Sequence, residues 1–256
     1  MLLPRIIPCL LIHKNGLVKT TNFKNHKYIG DPINAVRIFN EKKVDEILIL
    51  DIDASVSGKE PSYNILEKIA SECRMPMCYG GGIKTLEQAQ KIISLGSEKV
   101  ALSSGAINNP SLIKEIVKKI GSQSVVVVLD VKKRILGGDY NILIENGQTK
   151  TEFDLFDFVR IVEDMGAGEC VINSIDHDGL MNGYDLSLAV KMMELIHIPI
   201  TFLGGAGNLS DINSLFKACG VVGAGAGSLF LYKGKFKAVL INYPSENERK
   251  QILKGF

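Results

Sequence analysis

The chain has 256 residues, 46% of them apolar and 23% charged, and 30 basic side chains set against 28 acidic ones leave a net charge of +2. Disorder needs low hydrophobicity with a large net charge, and a duplex-binding protein carries a dense basic face, so the numbers argue against both and no nucleic-acid partner is expected. The length fits one large domain or two small ones, since an α/β barrel runs to about 250 residues as a single unit.

β-branched runs at 5–12, 46–52, 75–79, 99–103, 124–131, 169–174, 199–203 and 221–224 predict eight strands. Helix signals fall between them. Asp31-Pro32 opens one helix, Pro61-Ser62 another, Thr85 with Gln88 makes a capping-box pattern, Pro110-Ser111 starts a fourth, and Ser210 or Asp211 is placed to cap the seventh. Eight strand–helix units without a Pro- or Ser-rich linker predict one (βα)8 TIM barrel domain over residues 1–256.

The chain also repeats at its half-length. Asp51-Ile-Asp-Ala-Ser at the end of strand two matches Asp176-His-Asp-Gly at the end of strand six, and Gly80-Gly-Gly-Ile after strand three matches Gly204-Gly-Ala-Gly after strand seven. Two homologous half-barrels explain this duplication, which an open doubly wound sheet does not. The repeat exposes a difference: Leu10-Leu11 stands where Leu129-Asp130 stands in the other half. The five cysteines (Cys9, Cys73, Cys78, Cys170, Cys219) are odd in number and widely spaced, which points to free thiols in a reducing compartment. The four histidines show no ligand spacing, so neither a metal nor a cofactor is expected. Met1-Leu2-Leu3-Pro4-Arg5 carries no charged segment ahead of a long apolar run, and no stretch approaches the roughly 18 apolar residues of a spanning helix, so the expectation is a cytoplasmic protein without a membrane partner.

In a barrel the chemistry lies on the loops at the C-terminal strand ends. There, Gly81 and Gly82 pair with Ser103 and Ser104, and Gly204 and Gly205 pair with Gly227 and Ser228, giving two candidate phosphate cradles and hence a ligand phosphorylated at both ends. One glycine loop taken alone is more often just a turn, and the paired, duplicated arrangement reverses that reading. Asp130 ends an apolar strand with a charge and is the candidate for proton transfer, the alternative being a cap on the following loop. Asp51, Asp53, Asp176 and Asp178 share that rim. Asp51 and Asp176 are candidates for orienting substrate hydroxyls, and Asp178 with Gly179 for the second cradle. Lys19 is a candidate for catalysis on an anionic substrate or an ordinary solvated lysine. At the opposite strand ends Arg5, Glu46, Lys99 and Glu169 alternate in charge, and without any analogy they read either as a plug of ion pairs or as four surface charges.

Several stretches in order, among them Arg5-Ile-Ile-Pro-Cys-Leu10, Thr21-Asn-Phe23, Gly30-Asp-Pro32, Gly80-Gly-Gly-Ile83, Gly166-Ala-Gly-Glu169, Gly183-Tyr-Asp185 and Gly204-Gly-Ala-Gly207, closely resemble the cyclase subunit (HisF) of imidazole glycerol phosphate synthase over about residues 1–230. The resemblance implies a barrel joined to a HisH-like glutaminase. Ammonia then passes through the barrel to a bis-phosphorylated substrate at the top. It makes Arg5, Glu46, Lys99 and Glu169 the ammonia gate and Glu98 a residue facing the glutaminase. It also implies two catalytic aspartates, of which only Asp130 is present, Leu11 standing at the other. Asn173 and Leu203 replace small hydroxyl residues, and Ser103 replaces an asparagine. The expected protein is therefore a divergent paralogue, resembling barrels of bacterial surface-polysaccharide (lipopolysaccharide) pathways that work with a glutaminase and a sugar amidotransferase to make acetamidino sugars. A true cyclase of histidine biosynthesis and a noncatalytic scaffold for the glutaminase are the alternatives.

Overall fold

A computed structural model describes residues 3–135 and 137–256. Eight parallel strands, β1 (Arg5–His13), β2 (Ile47–Asp51), β3 (Met77–Gly80), β4 (Lys99–Leu102), β5 (Val125–Lys133), β6 (Glu169–Ser174), β7 (Ile200–Leu203) and β8 (Gly223–Ala226), pair in chain order. β8 pairs with β1 through Arg5 opposite Gly223, which closes the ring as a (βα)8 barrel. Each strand is buried on both faces, between the barrel interior and the helices outside, which is why the strands are written as continuous apolar runs rather than alternating ones.

Two expected boundaries shift for identifiable reasons. Pro76 has no N–H to give the ladder, so β3 begins at Met77 rather than 75 and runs through Gly80. Before β8 the chain turns through Gly220 at φ +75°, and the Val222 N–H bonds back to the Gly220 carbonyl (3.1 Å), so pairing starts at Gly223 and not at 221.

Outside lie α1 (Pro32–Glu41), α2 (Tyr63–Glu72), α3 (Leu86–Ser94), the short α4 (Ser104–Asn108), α5 (Ser111–Ile120), α6 (Leu155–Asp164), α7 (Leu186–Met193), α8 (Leu209–Cys219), α9 (Ser228–Leu231) and α10 (Glu246–Ile252). Asp31 caps α1 by accepting the Asn34 N–H, and Thr85 with Gln88 forms the expected capping box on α3. On α8 the cap is Asn208, neither Ser210 nor Asp211; Asp211 is its capping-box partner three residues on. Ser62 precedes α2 but gives its hydroxyl to Asp51 instead of capping. Among the described residues no helix is long and apolar enough to cross a membrane, and all five cysteines are free thiols.

Two long hairpins, and the short one of Tyr232–Lys233 with Ala238–Val239, add to the eight strand–helix units. One long hairpin (Gly16–Thr21 with Lys24–Gly30) follows β1; the other (Tyr140–Ile144 with Thr149–Asp154) continues β5 above the barrel. The strands Lys24–Gly30 and Thr149–Asp154 are polar and largely exposed, so they carry no period-two hydrophobic signal.

Inside the barrel the strand period of two puts one row of each strand inward. Ile7, Leu48, Cys78, Ala101, Val126 and Val171 form a buried apolar cluster there with Cys9, Val128 and Leu203.

Candidate functional site

At the N-terminal strand ends the four charges form a closed ring. Arg5 reaches Glu46 Oε2 at 2.5 Å and Glu169 Oε1 at 2.7 Å, and Lys99 Nζ reaches Glu46 Oε1 at 2.6 Å and Glu169 Oε2 at 2.9 Å. Thr201 on β7 donates its hydroxyl to Glu169 at 2.6 Å. Both glutamates are only 6% exposed, so the reading of four independent surface charges does not hold. Burial alone would lower the pKa values of Arg5 and Lys99, yet the attraction of Glu169 and Glu46 raises both. Burial likewise works against the Glu169 charge, and Arg5 with Lys99 outweighs it and holds that carboxylate below its usual range. Glu98, beside Lys99, faces solvent.

At the other end the barrel opens into a cavity between the C-terminal strand ends. Leu11 and Asp130 face it together, with Asn173, Leu203, Lys19 and Asp178. Asp130 accepts one hydrogen bond, from Asn173 Nδ2 at 2.8 Å. Burial pushes its pKa up to about 7, against the opposing effect of that hydrogen bond. A carboxyl so poised exchanges a proton near neutrality. Leucine opposite it offers no second proton-transfer group. Cys9, deeper in the same cavity, has its thiol pushed up to about 12 by burial and stays neutral.

Lys19 lies on the first hairpin and is 5% exposed, so it is not a solvated loop lysine. It forms an ion pair with Asp178, whose other oxygen accepts from the Thr20 hydroxyl (2.6 Å) and the Phe23 N–H (3.2 Å). Asn22 adds two hydrogen bonds, to the carbonyls of Ile175 and Asp176, both at 2.9 Å. These contacts clasp the hairpin over the cavity and bring Phe23 into its wall, a role that isolated sequence positions do not announce.

The two glycine–serine loop pairs sit at the ends of β3 and β4 and at the ends of β7 and β8. Gly204, Gly205, Gly227, Ser228 and Gly179 line the central cavity, whereas Gly82 and Ser104 line a separate one between the ends of β3 and β4. Gly205 (φ +111°) leaves no room for a side chain, since a Cβ there would stand 2.0 Å from the Gly183 carbonyl oxygen; at Gly81 (φ +128°) a Cβ would stand 2.4 Å from the Asp51 carbonyl oxygen. Among the described residues, the buried hydroxyls of Ser103 and Ser228 find no hydrogen-bond partner. The Ser104 hydroxyl accepts the Glu145 N–H.

Asp51 and Asp176 lie outside the central cavity. Asp51 accepts the N–H groups of Asp53 and Ala54 and the Ser62 hydroxyl, shaping the loop after β2. Asp176 accepts the Lys133 N–H and lines a side cavity with His177 and Asp185. Asp53 orients His13 at 2.5 Å and accepts the Lys14 N–H.

Residues 5–237 match the family described as histidine biosynthesis protein. The protein named "Putative imidazole glycerol phosphate synthase subunit hisF3" of Vibrio vulnificus (strain YJ016) is 54% identical over 253 residues, 99% of this chain and 97% of its own length. "Putative imidazole glycerol phosphate synthase subunit HisF" of Leptospira borgpetersenii is also 54% identical, over 98% and 99% of the two chains. "Imidazole glycerol phosphate synthase subunit HisF" of Alkaliphilus metalliredigens (strain QYMF) is 38% identical over 91% and 92%. The chain therefore belongs to the histidine biosynthesis protein family, in its HisF branch.

Proposed function

We propose that this barrel is the ammonia-receiving subunit of a glutamine amidotransferase complex and has turned from the imidazole-forming reaction to another acceptor. The observation that carries the reading is the combination of a closed charged ring at one end with Leu11 facing Asp130 at the other. A HisH-like glutaminase docks on the face that bears the ring and Glu98. Arg5, Glu46, Lys99 and Glu169 gate entry, and the small apolar interior conducts a neutral molecule while excluding ions. At the top, Asp130 acts as the remaining proton-transfer group near pH 7. Lys19, held by Asp178, positions the anionic end of the ligand. The cradles at Gly81, Gly82, Ser103 and Ser104 and at Asp178, Gly179, Gly204, Gly205, Gly227 and Ser228 hold phosphoryl groups of a small molecule, and Asp51 and Asp176 act by fixing the loops that shape the rim. The acceptor fitting this division of labour is a nucleotide-activated acetamido sugar. A separate sugar amidotransferase converts it to an acetamidino sugar for lipopolysaccharide in the cytoplasm, with the whole chain acting as one barrel domain.

The test is ammonium-dependent turnover of the bis-phosphorylated cyclase substrate by the purified chain. Loss of one general acid or base lowers the rate about 10²–10⁴-fold, and turnover at an ordinary 1–10³ s⁻¹ would restore the histidine-pathway cyclase reading. A barrel that merely activates the glutaminase needs no conduit, so obstruction of the interior at Ala101 with docking retained separates that case.

A further inference from the structure

Beside the central cavity lies a second one, between the first hairpin and the short hairpin Tyr232–Lys233 with Ala238–Val239. Lys19, Lys27 and Lys237 line it with Thr20, Thr21, Asn25, Gly179, Ser228 and Tyr232, and no carboxylate does. Each of the other four cavities described holds at least one: Asp130, Asp51, Asp176 and Glu145 respectively. The Lys19 charge is already met by Asp178. Lys27 and Lys237 are exposed and form no ion pair among the described residues; Lys27 Nζ rests 5.0 Å from the centre of the Tyr232 ring. Ser228, 4% exposed with a hydroxyl that has no partner among the described residues, lines both this cavity and the central one.

A buried hydroxyl without a partner is costly unless a ligand completes it. Ser228 lines both cavities, with Gly227 beside it in the central one, and the two uncommitted lysines line the second cavity from separate hairpins. We infer that the ligand of this cradle is a diphosphate, one phosphoryl group at Ser228 and the second held between Lys27 and Lys237, with the group attached to the inner phosphate directed toward Asp130. A diphosphate diester carries one negative charge on each phosphorus, which two lysines neutralise by charge-assisted hydrogen bonds. The inference rests on the proposal that Gly227 and Ser228 form a phosphate cradle, and it narrows the ligand to pyrophosphate or a molecule joined through a diphosphate.

The experiment is calorimetric titration of the full chain with orthophosphate, pyrophosphate, UDP-glucose and UMP. UDP-glucose has the charge of a doubly ionised orthophosphate, so it separates geometry from charge. Pyrophosphate and UDP-glucose are expected to bind roughly tenfold or more tightly than orthophosphate and UMP respectively. Lys27→Ala and Lys237→Ala should each remove most of that preference while leaving orthophosphate binding in place, and Ser228→Ala should weaken all four ligands. Lys118→Ala, at the end of α5, is the control for nonspecific attraction and should change none of them. Pyrophosphate binding tightly but UDP-glucose no better than UMP confines the site to the free anion. Equal binding of mono- and diphosphates, or a preference that survives both lysine variants, overturns the diphosphate while leaving the cradle standing. No binding of any ligand overturns the cradle reading and the diphosphate with it.

Discussion

Lys99→Ala probes the charged ring without adding a charge. Lys99 Nζ lies 2.6 Å from Glu46 and 2.9 Å from Glu169, carboxylates whose side chains are 8% and 7% exposed. At such separations each attraction is gross about 6 kcal/mol at an effective dielectric constant near 20, most of it spent on desolvation. Removing one partner of a buried pair costs about 3–5 kcal/mol. Arg5 remains against both glutamates and the Lys99 side chain is 20% exposed, so a loss of about 2 kcal/mol is expected, more than the roughly 0–1 kcal/mol of exposed pairs. Urea unfolding reads it. The depressed Glu169 contributes stability above its unfolded pKa that is lost as pH falls through the folded value, and the raised Lys99 contributes stability below its unfolded pKa that is lost as pH rises through the folded value. The difference between variant and parent should thus be flat from about pH 5 to 10 and shrink in acid. A loss under about 0.5 kcal/mol, or one that varies across neutral pH, would show that the four side chains do not act as a ring.

Asp130→Asn should stabilise the fold in base. The folded carboxyl keeps its proton up to about pH 7 while the unfolded one loses it near 3.8, so the parent's stability declines between those values; the variant's relative gain at pH 8 over pH 4 is expected to be about 2–4 kcal/mol, and an equal difference at both pH values would contradict the burial of this group. Leu11→Asp is expected to restore little cyclase turnover, because Asn173, Leu203 and Ser103 also shape the rim and a catalytic group acts only on a correctly held substrate; recovery to about 1–10³ s⁻¹ would assign the loss to one position. Gly223→Ala places a Cβ 1.9 Å from Thr201 Oγ1, the hydroxyl that donates to Glu169, so a destabilisation of about 1–3 kcal/mol in urea is expected, and a neutral result would mean that β7 and β8 can part freely.

The barrel was legible because strands covered on both faces must be apolar throughout, and the missing acid at Leu11 because an internal repeat supplies its own reference at Asp130. The hairpin Gly16–Thr21 with Lys24–Gly30 was not, since it is held by Asp178 and Asn22 rather than by hydrophobic alternation. The state of Lys19 depends on a carboxylate 159 residues away, and the ring joins residues up to 164 apart, so neither pairing is written in local spacing. Asp51 and Asp176 show the opposite case. Carboxylates at the expected strand ends turn their oxygens to backbone N–H groups of their own rim, and proximity in the repeat pattern does not fix where a side chain points.

The proposed conduit is tested most directly by competition between two sources of nitrogen. The barrel, with the glutaminase and the sugar amidotransferase proposed as its partners, is supplied with amide-¹⁵N glutamine in a bath of ¹⁴N ammonium, and the isotope in the new amidine is measured by mass spectrometry. Passage through the ring and the apolar interior gives product labelled almost wholly from glutamine, and Lys99→Glu, with docking retained, lets bath nitrogen in. Product labelled in the bath's proportion by the unaltered complex would mean that ammonia reaches the acceptor through solvent and that the barrel is no conduit.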